Sequence, residues 1–372
     1  MITGMALAEY LQQFQEPPGY LNFASFGPPS RAVVEALTST AEAAAVGTPG
    51  LHDHDERALA AVARLTGFDR NAGLLTTSTS AGLQQLAFGL RGSEVLVSRD
   101  EFPSNLYPWW RAQDLGLLKV REIQGPEGLL AMTPETIADA ITPSTSVIAL
   151  SAVDFRSGYR ADLSGIREVI GDRLLIVDGI QGFGVVDQQW TLADAVVVGG
   201  QKWLRAGWGT GFMALSPRAL ERIQPTLGGW TGVEQPTTYD GNAHALLSGA
   251  QRFSVTNVSP FTSAALWTAL ELIESAGITE LSSRIEASAQ ALVSSLDDAG
   301  VPVLSPRDPS QRAGIVVAQV APGQASAARD RLAEQGLTVT AHEPDRIRIS
   351  VHATTAADSI ERVCAALRVW RP

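Results

Sequence analysis

Between about residues 73 and 215 the chain alternates short, almost wholly apolar runs with amphipathic stretches, most of which have helical periodicity. The runs are Leu74–Thr77, Glu94–Ser98, Leu118–Ile123, Ser146–Val153, Leu174–Asp178, Ala195–Gly199 and Gly211–Leu215, with helix-like patterns such as Ala81–Leu90 and Leu163–Ile170 between them. A strand that is apolar along its whole length has no face to offer to water. Such strands belong in a mostly parallel sheet covered by helices on both sides. In sheets of that kind ligands sit at the carboxyl ends of the strands, so the residues that follow each run are the candidates for chemistry.

The pattern changes after about residue 260. Thr262–Ala276 and Ile278–Ala299 read as long helices. They are followed by strand-like runs Val301–Leu304, Ala313–Val320, Leu337–Ala341 and Arg346–Val351, with helices Gln324–Gln335 and Ala356–Arg368 between and after them. Gly228–Gly249, rich in Gly, Thr and Pro, reads as a loop. The expected division is an N-terminal segment 1–25 packing on the small domain or the active site, a large domain 26–260 and a small α+β C-terminal domain 261–372.

Charge and cysteine content narrow the function. The formal net charge of −11 would repel a phosphate backbone or an anionic bilayer, so neither a nucleic acid nor a membrane is an expected partner. No apolar run approaches the ~20 residues of a membrane helix. Cys364 is the single cysteine, which excludes an internal disulfide and a Cys-rich metal site. His52 and His54 form an H-x-H pair with no third ligand close in sequence, and read as surface residues. A cytoplasmic location is expected, since the first residues lack the basic start and apolar core of a signal peptide.

The strongest local signal is LLIVDGIQG at 174–182, where a buried strand ends in Asp178 and Gln181 follows. The next run leads through GGQKWL to Lys202. An acid and an amine at neighbouring strand ends suit a pyridine aldehyde. The acid keeps the ring nitrogen protonated, which makes the ring an electron sink, and the amine takes the aldehyde. A lysine in such a site has a lowered pKa and serves as nucleophile and proton carrier. Gln181 can bond the ring oxygen. The plainer alternative is a structural Asp–Lys ion pair.

Three further segments follow strand ends or lie on a strand. Thr77, Ser78, Thr79 and Ser80 stand between a strand and a helix, where free N–H groups and the helix dipole favour a phosphate, or where a simple N-cap is needed. Neither a Walker loop nor a GxGxxG fingerprint is present, which disfavours a nucleotide. In RDEFPSNLYPWW, Phe102 can stack on a flat ring and Asn105 can bond a polar substrate group, unless the segment is a surface turn. In RIRISVH, Arg348 suits bidentate capture of a carboxylate, unless it faces solvent from an edge strand.

Taken in order, these segments resemble the class V aminotransferase family, which includes cysteine desulfurases, kynureninase and isopenicillin N epimerase. The resemblance runs from LNFASFGPPS at 21–30 to RIRISVH at 346–352. It implies an α/β PLP-dependent transferase of fold type I, with a mostly parallel seven-stranded sheet in a large domain plus a small α+β C-terminal domain. It implies a homodimer with the active site at the subunit interface, and pyridoxal 5'-phosphate as cofactor. By motif position, Ser78 and Thr79 match the phosphate-binding residues and Phe102 the stacking aromatic. Asp178 matches the pyridine-nitrogen partner, Gln181 the ring-oxygen partner and Lys202 the amine that holds the aldehyde, with Gln201 beside it among the cofactor-binding residues. Arg348 matches the arginine for the substrate α-carboxylate. RFSVTN at 252–257 resembles the stretch that donates a phosphate contact from the neighbouring subunit, through Thr256.

The chain departs from the family pattern in places. Gln201 stands where desulfurases and kynureninases carry His or Tyr, and Gly199 where a phosphate-binding serine is common. Cys364 falls in a helical pattern beyond Arg348, so a persulfide-forming desulfurase is not expected. The expected activity is a PLP-dependent transformation of a small amino-acid-like substrate, with transamination first because of the Gln201–Lys202 pair. α,β-Elimination and epimerisation are the alternatives, and a catalytically idle binding module is the non-enzyme reading.

Overall fold

A computed structural model describes residues 6–125 and 130–372. Seven strands form the large sheet: β1 (Gly73–Leu75), β2 (Glu94–Ser98), β3 (Lys119–Ile123), β4 (Thr145–Ser151), β5 (Leu174–Asp178), β6 (Ala195–Gly199) and β7 (Gly211–Leu215). Their order across the sheet is β1-β7-β6-β5-β4-β2-β3. β7 runs antiparallel to both of its neighbours and the other pairings are parallel. Every run read from the sequence is thus a strand of this sheet. β3 is the exception in character: it lies at the edge, and its KVREI side chains are largely exposed.

The two-residue period of the pleat divides the apolar side chains between two cores. Leu174, Ile176, Val197 and Met213 face one side, where Leu83 and Leu86 of the helix Thr79–Gly89 and the indole of Trp109 cover them. Leu175, Val177, Val196 and Phe212 face the other, under Ile166, Phe183 and Leu270. Each such side chain contributes about 1.5–3 kcal/mol when fully buried, so both layers are firmly attached. The helix Pro260–Ala276 shares the second of these cores and packs on the helices Arg31–Ala45 and Asp53–Thr66.

A second sheet has the order β8-β10-β9, with β8 (Ile315–Gln319), β9 (Thr340–His342) and β10 (Arg346–Ser350) all antiparallel. Val316, Ala318, Ile347 and Ile349 point into a third core with Leu292, Leu296, Val363 and Leu367. Arg348 is two residues from Arg346 and Ser350 and shares their face, which is turned toward the large sheet. Two expectations differ in detail. Val301–Leu304 is only an isolated pairing, Val303 with Ala318, because Pro302 has no N–H with which to extend a ladder. The expected strand Leu337–Ala341 starts late, at Thr340, because Thr338 pairs with Tyr20 and Leu21 of the N-terminal segment instead.

Asp194, immediately before β6, sets β6 against β5. Its buried carboxylate accepts from the Leu175 N–H at 2.8 Å, from Arg167 Nη2 at 2.7 Å and from Arg218 Nη2 at 2.8 Å. Burial alone would raise its pKa, but the bonds from Arg218, Leu175 and Arg167 outweigh it and hold the carboxyl below its ordinary value. The opposite ends of these two strands carry Asp178 and lead to Lys202. Asp194→Ala is expected to cost about 1–3 kcal/mol of unfolding free energy, the usual penalty for leaving a buried donor such as the Leu175 N–H unpaired, in urea denaturation. The wild-type advantage is complete above the unfolded carboxyl pKa of about 3.9 and fades as pH falls toward the lower folded value, because the folded state binds the proton less readily.

Candidate active site

The segments that follow β1, β2, β5 and β6 border a cavity of about 380 Å³. Its wall brings together Asp178, Lys202 and Gln201, the loop Thr77–Ser80, Phe102 and Arg348, which lie far apart in sequence. Trp208, one of the tryptophans that the sequence offers for an apolar pocket wall, joins them, as does Ser25, to which the sequence reading assigned no role. A larger open groove of about 590 Å³ bordered by Glu135, Arg160 and Asp187 lies elsewhere and carries none of these groups.

Asp178 is 1% exposed, and its Oδ1 accepts the Ile180 N–H at 2.9 Å. Burial pushes its carboxyl up to about 6, with the Ile180 bond and the Lys202 charge pulling downward. Lys202 is 7% exposed. Burial brings its amine down to about 8, Asp178 opposing the change and Arg348 reinforcing it. No ion pair within 4.0 Å joins the two among the described residues, so the plain structural pair is not what the fold builds. The chain has only two lysines, and the other, Lys119, is exposed at the sheet edge. That scarcity is itself a signal that could have singled out Lys202.

The Thr/Ser loop caps the helix Thr79–Gly89, with Ser78 Oγ accepting from the Ala81 N–H at 3.1 Å. Thr79 Oγ1 is different: it is buried and has no hydrogen-bond partner. Opposite stands Gly199, where an added Cβ would come within 3.0 Å of Thr79 Oγ1 and 2.7 Å of Gln201 Oε1. The glycine keeps this corner open at a helix N-terminus, a place that suits an anion. Phe102 forms another wall, its ring centroid 5.0 Å from Lys202 Nζ and edge-on to Phe155. A buried acid, a single amine, an aromatic wall and an anion corner fit the ring, aldehyde and phosphate of pyridoxal phosphate.

Arg348 is 5% exposed, so the solvent-facing alternative does not apply. Its Nη2 donates to Ser25 Oγ at 2.7 Å and to Thr340 Oγ1 at 3.3 Å, and its Nη1 to the Phe155 carbonyl at 3.4 Å. Its Nε has no partner. No carboxylate lies within 4.0 Å of the guanidinium among the described residues. Burial brings its pKa down to about 10, with Asp154 opposing.

Two expected site residues, Gln181 and Asn105, stand behind the cavity wall, and Thr256, expected to serve a neighbouring subunit, lies outside this cavity. Gln181 is buried but not on the cavity wall, because Trp203 Nε1 donates to its Oε1 at 2.6 Å and its Nε2 donates to the Ala24 carbonyl at 3.0 Å. Asn105 is also behind the wall, its Oδ1 held by Trp109 Nε1 at 3.0 Å while its Nδ2 lacks a partner. Thr256 is exposed, accepts from Trp230 Nε1 at 3.3 Å and lines a separate hollow of about 210 Å³. Glu101 was missed. It lies under the wall, receives the Ser151 N–H at 2.7 Å, and is pushed up to about 8 by burial, opposed by the Ser151 bonds and reinforced by Asp154 and Asp178. Cys364 is buried in the helix Ala357–Leu367, where burial pushes its thiol up to about 12. His52 bonds Asp55, and His54 stacks on Trp267.

The family model described as aminotransferase class-V matches residues 50–362. The kynureninase of Deinococcus radiodurans is 30% identical over 227 residues, 58% of this chain and 53% of that protein. The isopenicillin N epimerase of Streptomyces clavuligerus is 30% identical over 179 residues, 45% of each chain. The chain therefore spans about half the length of these curated relatives. A solved complex of the cystine C-S lyase C-DES with cysteine persulfide has the same fold, with a TM-score of 0.85 at 22% identity over 95% of this chain and 98% of that one. The apo cysteine desulfurase of Thermococcus onnurineus NA1 has a TM-score of 0.81 at 19% identity, over 94% of each chain.

The geometry makes two predictions. A Cβ at Gly27 would lie 1.9 Å from the Lys202 carbonyl oxygen. Gly27→Ala is therefore expected to move Lys202 and lower kcat/KM by about 100-fold, as ångström-scale misplacement does, in a steady-state assay of the folded variant. In apo-protein, labelling of Lys202 by an amine-reactive reagent, followed by mass spectrometry, is expected to have its midpoint near pH 8. Asp178→Asn should move that midpoint lower, because the Asp178 charge favours the ammonium form. A wild-type midpoint near 10.5 would contradict the assignment.

Proposed function

This chain belongs to the class-V aminotransferase family, and from that membership we propose that it is a pyridoxal-phosphate enzyme that binds a small α-amino acid by its carboxylate and eliminates a β-substituent. When bound, the cofactor supplies an aldehyde for the substrate amine and a protonated pyridine that draws electrons from the bonds at Cα. Asp178 keeps the ring nitrogen protonated from a position closed to water. Lys202 and Asp178 share the cavity with the corner formed by Thr79, Gly199 and Gln201, which suits the phosphate.

The observation that carries the reading is Arg348. A buried guanidinium that has no carboxylate within 4.0 Å among the described residues lacks a direct ion-pair partner, Asp154 acting on it only from farther away. Stranding such a charge is costly. A substrate carboxylate supplies the missing anion and two acceptor oxygens.

Lys202 then takes the Cα proton. An amine lowered to about 8 is present as free base in useful amounts near neutral pH. Phe102 faces it across the cavity and has no protonatable atom. Proton traffic on one face supports elimination or transamination over epimerisation, which needs an acid on the second face. A persulfide route has no support, since the chain's one cysteine is buried in a distant helix. The fold shared with a cystine C-S lyase supports elimination as the first reading. Transamination is the second, favoured by Gln201 on the cavity wall beside Lys202.

The remaining expectations follow from the same reading. The exposed side chains Trp208, Leu227, Trp230, Tyr239, Leu246, Val255 and Phe261 concentrate in one stretch of the chain. Apolar surface of that kind supports a homodimer, in which Thr256 would serve the neighbouring site. No helix among the described residues is long and apolar enough to cross a membrane, and a cytoplasmic location remains part of the proposal.

With cofactor and L-cystine or L-cysteine, the enzyme is expected to release pyruvate, ammonia and the sulfur leaving group, cysteine persulfide from cystine and sulfide from cysteine, without an added keto acid. Turnover that stops after one equivalent, and resumes when a keto acid is added, would establish transamination instead. Arg348→Met should raise KM about 100-fold, the size expected for removing one partner of a buried charge pair, and Lys202→Ala should abolish turnover.

A further inference from the structure

Three residues beyond Lys202 stands Arg205, a left-handed residue that is not glycine, with φ 58°. The conformation strains any side chain with a Cβ, and glycine would adopt it freely. The side chain therefore earns its place by what its head group does. Arg205 is 1% exposed. Its Nε donates to the Pro28 carbonyl at 2.6 Å, and its Nη1 to Glu16 Oε1 at 3.0 Å and to Thr354 Oγ1 at 3.3 Å. Its Nη2 donates to Glu16 Oε2, and Thr354 donates to Glu16 in turn. The guanidinium carbon lies 3.6 Å from the ring centroid of Phe14. One guanidinium thus joins the Lys202 turn, the N-terminal segment and the loop after β10.

The segment it holds runs along the site. The Leu21 N–H bonds the Thr338 carbonyl, and the Ser350 N–H bonds the Leu21 carbonyl. The Ala24 carbonyl receives Gln181 Nε2 at 3.0 Å. The Gly27 N–H donates to the Gln201 carbonyl at 2.9 Å. Between these anchors Ser25 lines the cavity, and its Oγ accepts from Arg348 Nη2 at 2.7 Å and lies 3.2 Å from Thr340 Oγ1. The Arg348 Nε has no partner and Nη1 makes a single bond, so two N–H donors are left for a ligand. A buried ion pair is weak evidence of stability, and its better-attested use is to fix register.

We propose that the Arg205–Glu16 pair is a latch that fixes the N-terminal strap, residues 16–27, and through Ser25 orients Arg348 for the substrate carboxylate. Arg205, Glu16 and Ser25 are positioning residues, and the proposal rests on the reading that Arg348 binds that carboxylate. The latch acts first on carboxylate recognition, because Ser25 is the strap residue that bonds Arg348, while the strap meets the Lys202 turn through backbone bonds that the latch variants retain, Gly27 N–H to the Gln201 carbonyl at 2.9 Å and Arg205 N–H to the Lys202 carbonyl at 3.1 Å.

The test compares two amine probes on the holoenzyme, L-alanine and propylamine, of which only the first carries a carboxylate. Binding is followed by tryptophan fluorescence. Glu16→Gln and Arg205→Gly are expected to weaken L-alanine binding about tenfold and propylamine binding by less than about twofold. Ser25→Ala should match them. Because the three act in one chain of contacts, Glu16→Gln combined with Ser25→Ala should be no worse than Ser25→Ala alone. Should Arg205→Gly fail to fold, Glu16→Gln, which keeps the shape of the side chain, decides the matter. If Arg348→Met loses L-alanine while the latch variants bind it normally, the latch is overturned and the carboxylate reading stands. Equal weakening for both probes would also overturn the latch, by making its role general. If Arg348→Met binds L-alanine normally, the carboxylate reading itself falls.

Discussion

Three charged groups are held out of water around one cavity, Asp178, Lys202 and Arg348, and none is paired with another within 4.0 Å among the described residues. Removing charge from water without a partner is among the most expensive things a fold can do. Each group shows the strain in its acid–base behaviour, the acid raised and both bases lowered, with burial as the largest cause each time. The arrangement makes sense when the missing partners are a ring nitrogen, an aldehyde and a carboxylate. The protein alone leaves the charge pattern incomplete, and the proposed ligands would complete it.

Much of the remaining structure keeps these groups from relaxing toward one another or toward solvent. The parallel strands bring Asp178 and the turn carrying Lys202 to the same edge, and Asp194 aligns the far ends of the same two strands. Arg348 comes from a different sheet, whose polar face is turned toward the cavity. The N-terminal strap closes the gap between the two. It bonds Gln181 with one residue and Arg348 with the next, so that the ring-side and carboxylate-side walls are referenced to one piece of backbone.

The resemblance to known enzymes is consistent with this division of labour. The class-V family model spans both the large sheet and most of the small domain, as expected when the site needs residues from each. The solved structures of the same fold are related at only 19–22% identity. What persists at that distance is the layout of strand ends, while the residues lining the cavity are free to redirect the chemistry.

Periodicity alone determined the large sheet. Strands such as Leu174–Asp178 and Ala195–Gly199 are apolar on both faces, and nothing but a covered sheet accommodates them. The same logic placed Asp178 and Lys202 at strand ends, because the position of a residue after a strand is a local property. Local signals failed where a competing partner came from afar. Thr338 left its expected strand to pair with Tyr20. Gln181 and Asn105 were satisfied by the indoles of Trp203 and Trp109 and drawn behind the cavity wall. Ser25 meets Arg348 across 323 positions of sequence, and Arg205 meets Glu16 across 189. Which polar groups find partners, and which are left for a ligand, is a property of the assembled interior. Desolvation acts on whatever surrounds a group in space, so only the tertiary structure could decide it.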